Sequence, residues 1–313
     1  MNFPFWLNAP LASLGSDQRS PQALLIHGSR GSGRRLLALH HAARLLGIPA
    51  SRLEQLAAAE QEAEDQVLGH PDLMLLQPPP EKTAIPVASV RRLVDFLQLK
   101  SHQGGARVAI IWPADGMTTA AANSLLKTLE EPPPGGHILL VVSTPTALPA
   151  TIISRCHRLA VHLPRREAAL AWLREQAGEA DWRLLLDVAG GAPLRALDLA
   201  RADFAAEARQ FDDDIRQLEA ARLSTIAVAQ RWSNCNGEWL WQWLYWRLAR
   251  AIRQQAGAGA DAMSLAPLQN DGKAPNMRVL LQRLADVEEL RRIGSGAARM
   301  DLQYAAMLQR WYA

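Results

Sequence analysis

Three short, predominantly apolar runs set the tightest limit on how this chain can fold. They are "ALLIHG" (Ala23 to Gly28), "RVAIIW" (Arg107 to Trp112) and "HILLVVS" (His137 to Ser143). Runs this short suit strands, and the lack of apolar–polar alternation means that both faces are buried. A fourth strand, "HPDLMLLQPPP", is closed by prolines. The intervening segments have helical spacing. Leu36, Leu37, Leu39, Ala43 and Leu46 mark one helix, and Val87, Val90, Leu93, Val94 and Leu97 share a face of another. The stretch "TTAAANSLLKTLEEPPPGG" is a helix that must stop at Pro132, because proline cannot donate the backbone bond. Apolar strands alternating with amphipathic helices predict an α/β domain built on a parallel sheet covered on both faces.

This sheet domain is expected to span 1–164. From Arg165 onward no segment reads as a convincing strand. Residues 165–205 read as short helices broken at "AGGAP", and 206–313 as longer helices separated by "GAGADAMSLAPLQNDGKAP", with no internal repeat. At 313 residues the chain has ample length for a core, and 49% of it is hydrophobic, yet no apolar run reaches the roughly 18 residues of a membrane span. The start, "MNFPFWLNAPLASLGSD", lacks the basic opening and apolar stretch of a signal peptide, so a cytoplasmic protein is expected. Cys156 and Cys235 stand far apart without ligand spacing, which predicts neither zinc nor a disulfide framework.

Gly28 and Gly33 have the separation of a phosphate-binding loop, G-x-x-x-x-G-K-[ST], with Gly31 between them. Such a loop cradles phosphates on backbone N–H groups, reaches them with a lysine, and holds Mg²⁺ on a hydroxyl. Here Arg34 and Arg35 stand where the lysine and the hydroxyl belong. Arg34 keeps the charge but is larger, planar and differently directed, and Arg35 cannot ligate a metal. Only four of the 34 basic residues are lysine, so compositional drift alone could have put arginine here. The carboxylate that should end the next strand and hold the metal is displaced: the strand runs into Trp112 and Pro113, and Asp115 comes two positions late. The nucleotide-binding residues Gly28, Gly31, Gly33, Arg34 and Arg35 are therefore expected to form a degenerate, non-functional site, with no metal and no cofactor.

The segment Ala121 to Val161, "AANSLLKTLEEPPPGGHILLVVSTPTALPATIISRCHRLAV", carries more information. An amphipathic helix, a buried strand and a turn account for Leu125, Leu126 and Leu129. They leave unexplained why Lys127 sits beside Glu130 and Glu131 in so arginine-rich a chain, and why "TIISRC" follows a proline turn. These residues resemble the clamp-loader branch of the AAA+ ATPases, in which "NALLKTLEEPP" followed by "SRC" is a specific combination. "QALLIHG", "HPD" at His70 to Asp72, the stretch Gly104 to Ala109 and, less specifically, "VEELRRIGSGAARMDLQYAAMLQRW" extend the resemblance over most of the chain.

The resemblance implies an AAA+ P-loop-type sheet domain (1–164), a small helical lid (165–205) and an all-α collar that mediates oligomerisation (206–313). It implies a subunit without intrinsic ATPase activity inside a DNA-directed DNA polymerase holoenzyme. Its partners would be the delta and tau/gamma subunits and, through the complex, a sliding clamp and primed DNA. Arg155 would be an arginine finger presented in trans to ATP on a neighbouring subunit, an effect worth ~10³ to 10⁵ in rate, or roughly 4 to 7 kcal/mol. A local carboxylate is the other partner open to Arg155. Ser154 is read as turning the backbone and Cys156 as packing in the core.

Two departures stand out. The four-cysteine zinc module of many relatives is missing from "ASRLEQLAAAEQEAEDQVLG", and the lid reads "GGAPLRALDLA", with Leu194 at the sensing-arginine place and Arg195 one step along. The tryptophan-rich run Trp232 to Arg250 invites base stacking. Its helical spacing, with Trp239, Trp243 and Trp246 on one face, favours core or subunit-interface packing. Two other functions stay open: an active motor ATPase that works through Arg34 and Asp115, and a relative that binds DNA directly through a basic surface.

Overall fold

The computed structural model describes residues 3–15, 20–59, 66–67, 70–79, 82–102, 105–257, 276–293 and 299–312. The loop expected over 257–275 lies largely outside them, as does most of the cysteine-free stretch between 60 and 69. The chain divides into two compact units, Met1–Arg165 and Arg166–Ala313, so the segments expected as lid and collar fall within one unit.

Six strands form the sheet of the first unit: Ala23–His27 (β1), Gln66–Val67 (β2), Leu73–Leu76 (β3), Arg107–Ile111 (β4), Gly136–Val142 (β5) and His157–Ala160 (β6), in the order β2-β3-β4-β5-β1-β6. All neighbours run parallel except the short β2 against β3. The register sets Leu24 beside Leu139 and Ile26 beside Val141. One face carries Leu24, Ile26, Val108, Ile110, Leu139 and Val141. The other carries Leu25, Ala109, Ile111, Ile138, Leu140 and Val142. Helices Asn8–Ser13 (α1), Arg34–Leu46 (α2) and Ala50–Ala59 (α3) belong to the first layer, where α2 contributes Leu37, Ala38 and Ala42. Val87–Gln98 (α4), Thr119–Glu130 (α5) and Ala150–Ile153 (α6) cover the second with Val90, Leu93, Leu125, Leu129 and Ile152. The sheet is covered on both faces, as the apolar runs required. Strand β6 was not legible: "HRLA" exposes His157 and Arg158 at a sheet edge and has no apolar signature.

The described residues of the second unit are helical: Arg166–Ala177 (α7), Trp182–Val188 (α8), Pro193–Arg201 (α9), Phe204–Glu219 (α10), Thr225–Ser233 (α11), Gly237–Gln255 (α12), Met277–Ile293 (α13) and Met300–Tyr312 (α14). Their core is aromatic. Trp232 and Trp243 are 0% exposed and meet Phe211 and each other edge-on or tilted, with centroids 5.3–6.4 Å apart. Tyr304 closes the cluster against Trp232 at 6.3 Å. Trp232 and Trp243 are interior packing, since rings with no exposed surface cannot stack on bases, while Trp239 is half-buried. Two buried carboxylates take up the polar ends. Asp214 accepts from Trp232 Nε1 (3.0 Å), Arg231 (2.9 Å) and Gln210 (3.1 Å). Asp286 accepts from Trp311 Nε1 (2.8 Å) and Arg310 (3.2 Å).

Two stability predictions follow from buried polar groups. Asp214→Ala strands the buried Trp232 N–H and should cost about 1–3 kcal/mol, read as a lower urea midpoint with an unchanged slope. His41 on α2 is 0% exposed and bonded to Ser20 at 3.0 Å. Burial, then His137 and Arg44, push its pKa down to about 4. An unfolded chain binds that proton near pH 6.5, so the stability His41 contributes is full above 6.5 and is lost as pH falls toward 4. The loss is about 3 kcal/mol across that window. His41→Gln should flatten this part of the pH–stability curve; a slope equal to that of the wild type would refute the assignment.

Candidate functional site

The glycine loop, Gly28 to Gly33, joins the C-terminal end of β1 to the N-terminus of α2. Two of its glycines are required by geometry. A Cβ on Gly28 would stand 2.4 Å from the Val161 carbonyl oxygen, because the chain leaving β6 crosses there and Val161 N–H donates to the His27 carbonyl at 2.7 Å. Gly33 caps α2 at φ 98°, in the left-handed region. The indole N–H of Trp6 donates to the Ser32 carbonyl at 2.8 Å, and Ser32 N–H to the Ser29 carbonyl at 3.1 Å. Nothing in the sequence pointed to Trp6 as a brace for this loop, since the two residues meet only through the fold.

Gly28, Gly31, Gly33, Arg34 and Arg35 thus come together as one turn and helix start. Arg34 is only 8% exposed, and among the described residues it makes no hydrogen bond or ion pair. Burial lowers its pKa, the Asp115 carboxylate counters this, and Arg30 adds to it. Asp115 lies in a 3₁₀ turn, Ala114–Gly116, beyond the end of β4, with one carboxylate oxygen buried and lacking a hydrogen-bond partner. Arg35 sends its guanidinium over the Trp112 ring, 4.3 Å from the centroid. Among the described residues no three His, Cys, Asp or Glu side chains gather as metal ligands, and no helix is long and apolar enough to cross a membrane.

Arg155 sits on a separate part of the same unit, just past α6. Its guanidinium grips Glu130 at the end of α5, with Nε 2.7 Å and Nη2 2.5 Å from Oε1. Nη1 donates to the Thr151 carbonyl at 2.9 Å and to Ser154 Oγ at 3.4 Å. The Arg155 side chain remains 34% exposed, and none of these partners belongs to the glycine loop. Ser154 donates to the Thr151 carbonyl at 3.2 Å, closing the short helix. Cys156 is buried in the core, which pushes its thiol up to about 11 and leaves it protonated and unreactive at neutral pH. Lys127 lies in the last turn of α5, where a cation favours the helix dipole. In the second unit, Arg195 is directed onto Gln242 and Glu238 of α12.

A sequence profile described as DNA polymerase III, delta subunit, matches residues 8–164. The chain is 32% identical to DNA polymerase III subunit delta' of Pseudomonas aeruginosa, a match covering 90% of this chain and 84% of that one. It is also 32% identical to the Yersinia pestis subunit delta' over 84% and 80% of the two chains. Among solved structures, a DNA polymerase III gamma-subunit-related protein from Thermotoga maritima shares the fold, with a TM-score of 0.53 over 98% of each chain at 18% identity. Two extensive matches at this identity, together with the profile, identify the family: the chain belongs to the delta' subunits of DNA polymerase III, a clamp-loader-type subunit.

Proposed function

We propose that this chain is the non-hydrolysing member of a cytoplasmic clamp loader and lends Arg155 to ATP held by a neighbouring subunit. The placement of Arg155 carries the proposal. Its guanidinium is at the surface, aimed by a short helix and held by an exposed carboxylate. An exposed ion pair of this kind is worth roughly 0–1 kcal/mol. A triphosphate offers more charge and bidentate geometry, so it can take the guanidinium from Glu130 at small cost. On a γ-phosphate the same group offsets the charge that develops during transfer.

The chain's own loop supports the other half of the proposal. Position 35 supplies a guanidinium occupied with Trp112 rather than a hydroxyl for Mg²⁺. The carboxylate that follows β4, Asp115, faces the field of Arg34. These residues do not fit a magnesium–nucleotide complex. The proposed partners are the delta and tau/gamma subunits, with the sliding clamp and primed DNA engaged through the complex.

In a reconstituted loader, Arg155→Ala should leave assembly intact and slow single-turnover hydrolysis at the adjoining site by ~10³-fold or more. Glu130→Gln, which only frees the finger, should retain turnover. Unchanged hydrolysis in Arg155→Ala would reduce Arg155 to a structural partner of Glu130. The isolated chain should turn over no ATP with Mg²⁺; hydrolysis there would overturn the non-hydrolysing assignment.

A further inference from the structure

Trp232 and Trp243 fill the core of the second unit, but that cluster does not take in the whole tryptophan run. Helix α12 carries a second stripe, Glu238, Trp241, Gln242, Tyr245, Trp246 and Ala249, at spacings of three and four residues that share one face. Between this stripe, the corner at 187–190 that ends α8, and Val287, Glu288 and Arg291 of α13 lies a cavity of about 280 Å³. All of its walls belong to the second unit.

Hydrogen bonds tie those walls together. Gln242 donates from Nε2 to the Val188 carbonyl at 2.6 Å and accepts from Arg195 on Oε1, and Arg195 also meets Glu238 at 3.3 Å. Asp187 pairs with Arg166. These two carboxylates are therefore committed. Arg253 and Arg291 line the same cavity with Glu288; all three are exposed, and among the described residues none makes an ion pair. Two uncommitted guanidiniums thus stand with one carboxylate, and Arg250, 5.8 Å from the centre of the Trp246 ring, adds to the positive field.

The lining points to the occupant. Trp241 and Trp246 form a buried floor, and Tyr245, 48% exposed, stands at the mouth. Six of the fifteen lining residues are Trp, Tyr or Arg, the types that anchor protein interfaces. The volume lies at the foot of the ~300–1,000 Å³ range of small-molecule sites, so it suits one large side chain rather than a cofactor. An aromatic ring gains there from stacked or edge-on contact with other rings, and a carboxylate beside it answers the guanidiniums. A nucleic acid would need a basic track along its backbone, whereas here Asp187, Glu238 and Glu288 line the same cavity.

We infer that this groove docks a short acidic segment of a partner protein, with an aromatic side chain as its anchor among Trp241, Tyr245 and Trp246 and a neighbouring carboxylate on Arg253 and Arg291. The inference and the proposed role of Arg155 do not depend on each other.

The test pans a random short-peptide display library on the isolated full chain, with the Arg253→Glu/Arg291→Glu double variant as counter-selection. The selected peptides should share an aromatic residue next to Asp or Glu. A synthetic consensus peptide should bind saturably, and more weakly as salt rises. Each single charge reversal should weaken it by about tenfold or more and leave Tm unchanged, because both side chains are exposed. Ala249→Trp, which fills the groove and keeps both guanidiniums, should weaken it as much. A library that yields no such consensus, or a folded double variant that binds the consensus peptide like wild type, would overturn the inference. So would displacement of the peptide by oligothymidylate at equal concentration, which would make the groove a base-stacking site. Free indole-3-acetate binding as tightly as the peptide would overturn it too, and make the groove a small-molecule site.

Discussion

Strand β1 is held between two parallel neighbours, β5 and β6, with helices packed on both faces. A strand so enclosed can present only its C-terminal end, and there the glycine loop begins. The crossing of Val161 over Gly28 fixes that end still more tightly, because the carbonyl approaches closer than any side chain would allow. The loop is therefore a consequence of the sheet. Even with the lysine and hydroxyl replaced, the backbone must still turn through Gly28, Gly31 and Gly33 to enter α2.

Burial gives the basic residues of this region different fates. Arg155, on an exposed carboxylate, is free to exchange partners at small cost. Arg34, the first residue of α2, is only 8% exposed and lies within the field of the Asp115 carboxylate. Arg35 spends its charge on the face of Trp112. One residue type thus serves as an exposed ion-pair partner, a largely buried charge and a packing element, depending on depth.

Much of the fold was legible. Apolar runs marked β1, β3, β4 and β5, Pro132 marked the end of α5, and helical spacing marked the helices between. Strand β6 escaped because an edge strand needs no apolar pattern. The loop and the "SRC" residues were legible as a local motif, but their partners were not. Glu130 reaches Arg155 across 25 positions, Trp6 reaches Ser32 across 26, and Asp115 reaches Arg34 only once β4 and β1 share a sheet. Such pairings are made by tertiary structure, and no spacing rule carries them. The tryptophan run shows the converse: its periodicity left core and subunit interface both open, and the described helices bury Trp232 and Trp243.

Helix α5 links the two places where charge is displayed. Just before it runs the Ala114–Gly116 turn that bears Asp115, and its last residue is Glu130, the anchor of Arg155. Its Ala121, Ala122, Leu125 and Leu129 are pressed into the sheet, so its roughly 18 Å length cannot flex independently. The helix works as a strut. It sets the spacing between the Asp115 turn at its start and the Glu130 tether of Arg155 at its end, both within the first unit.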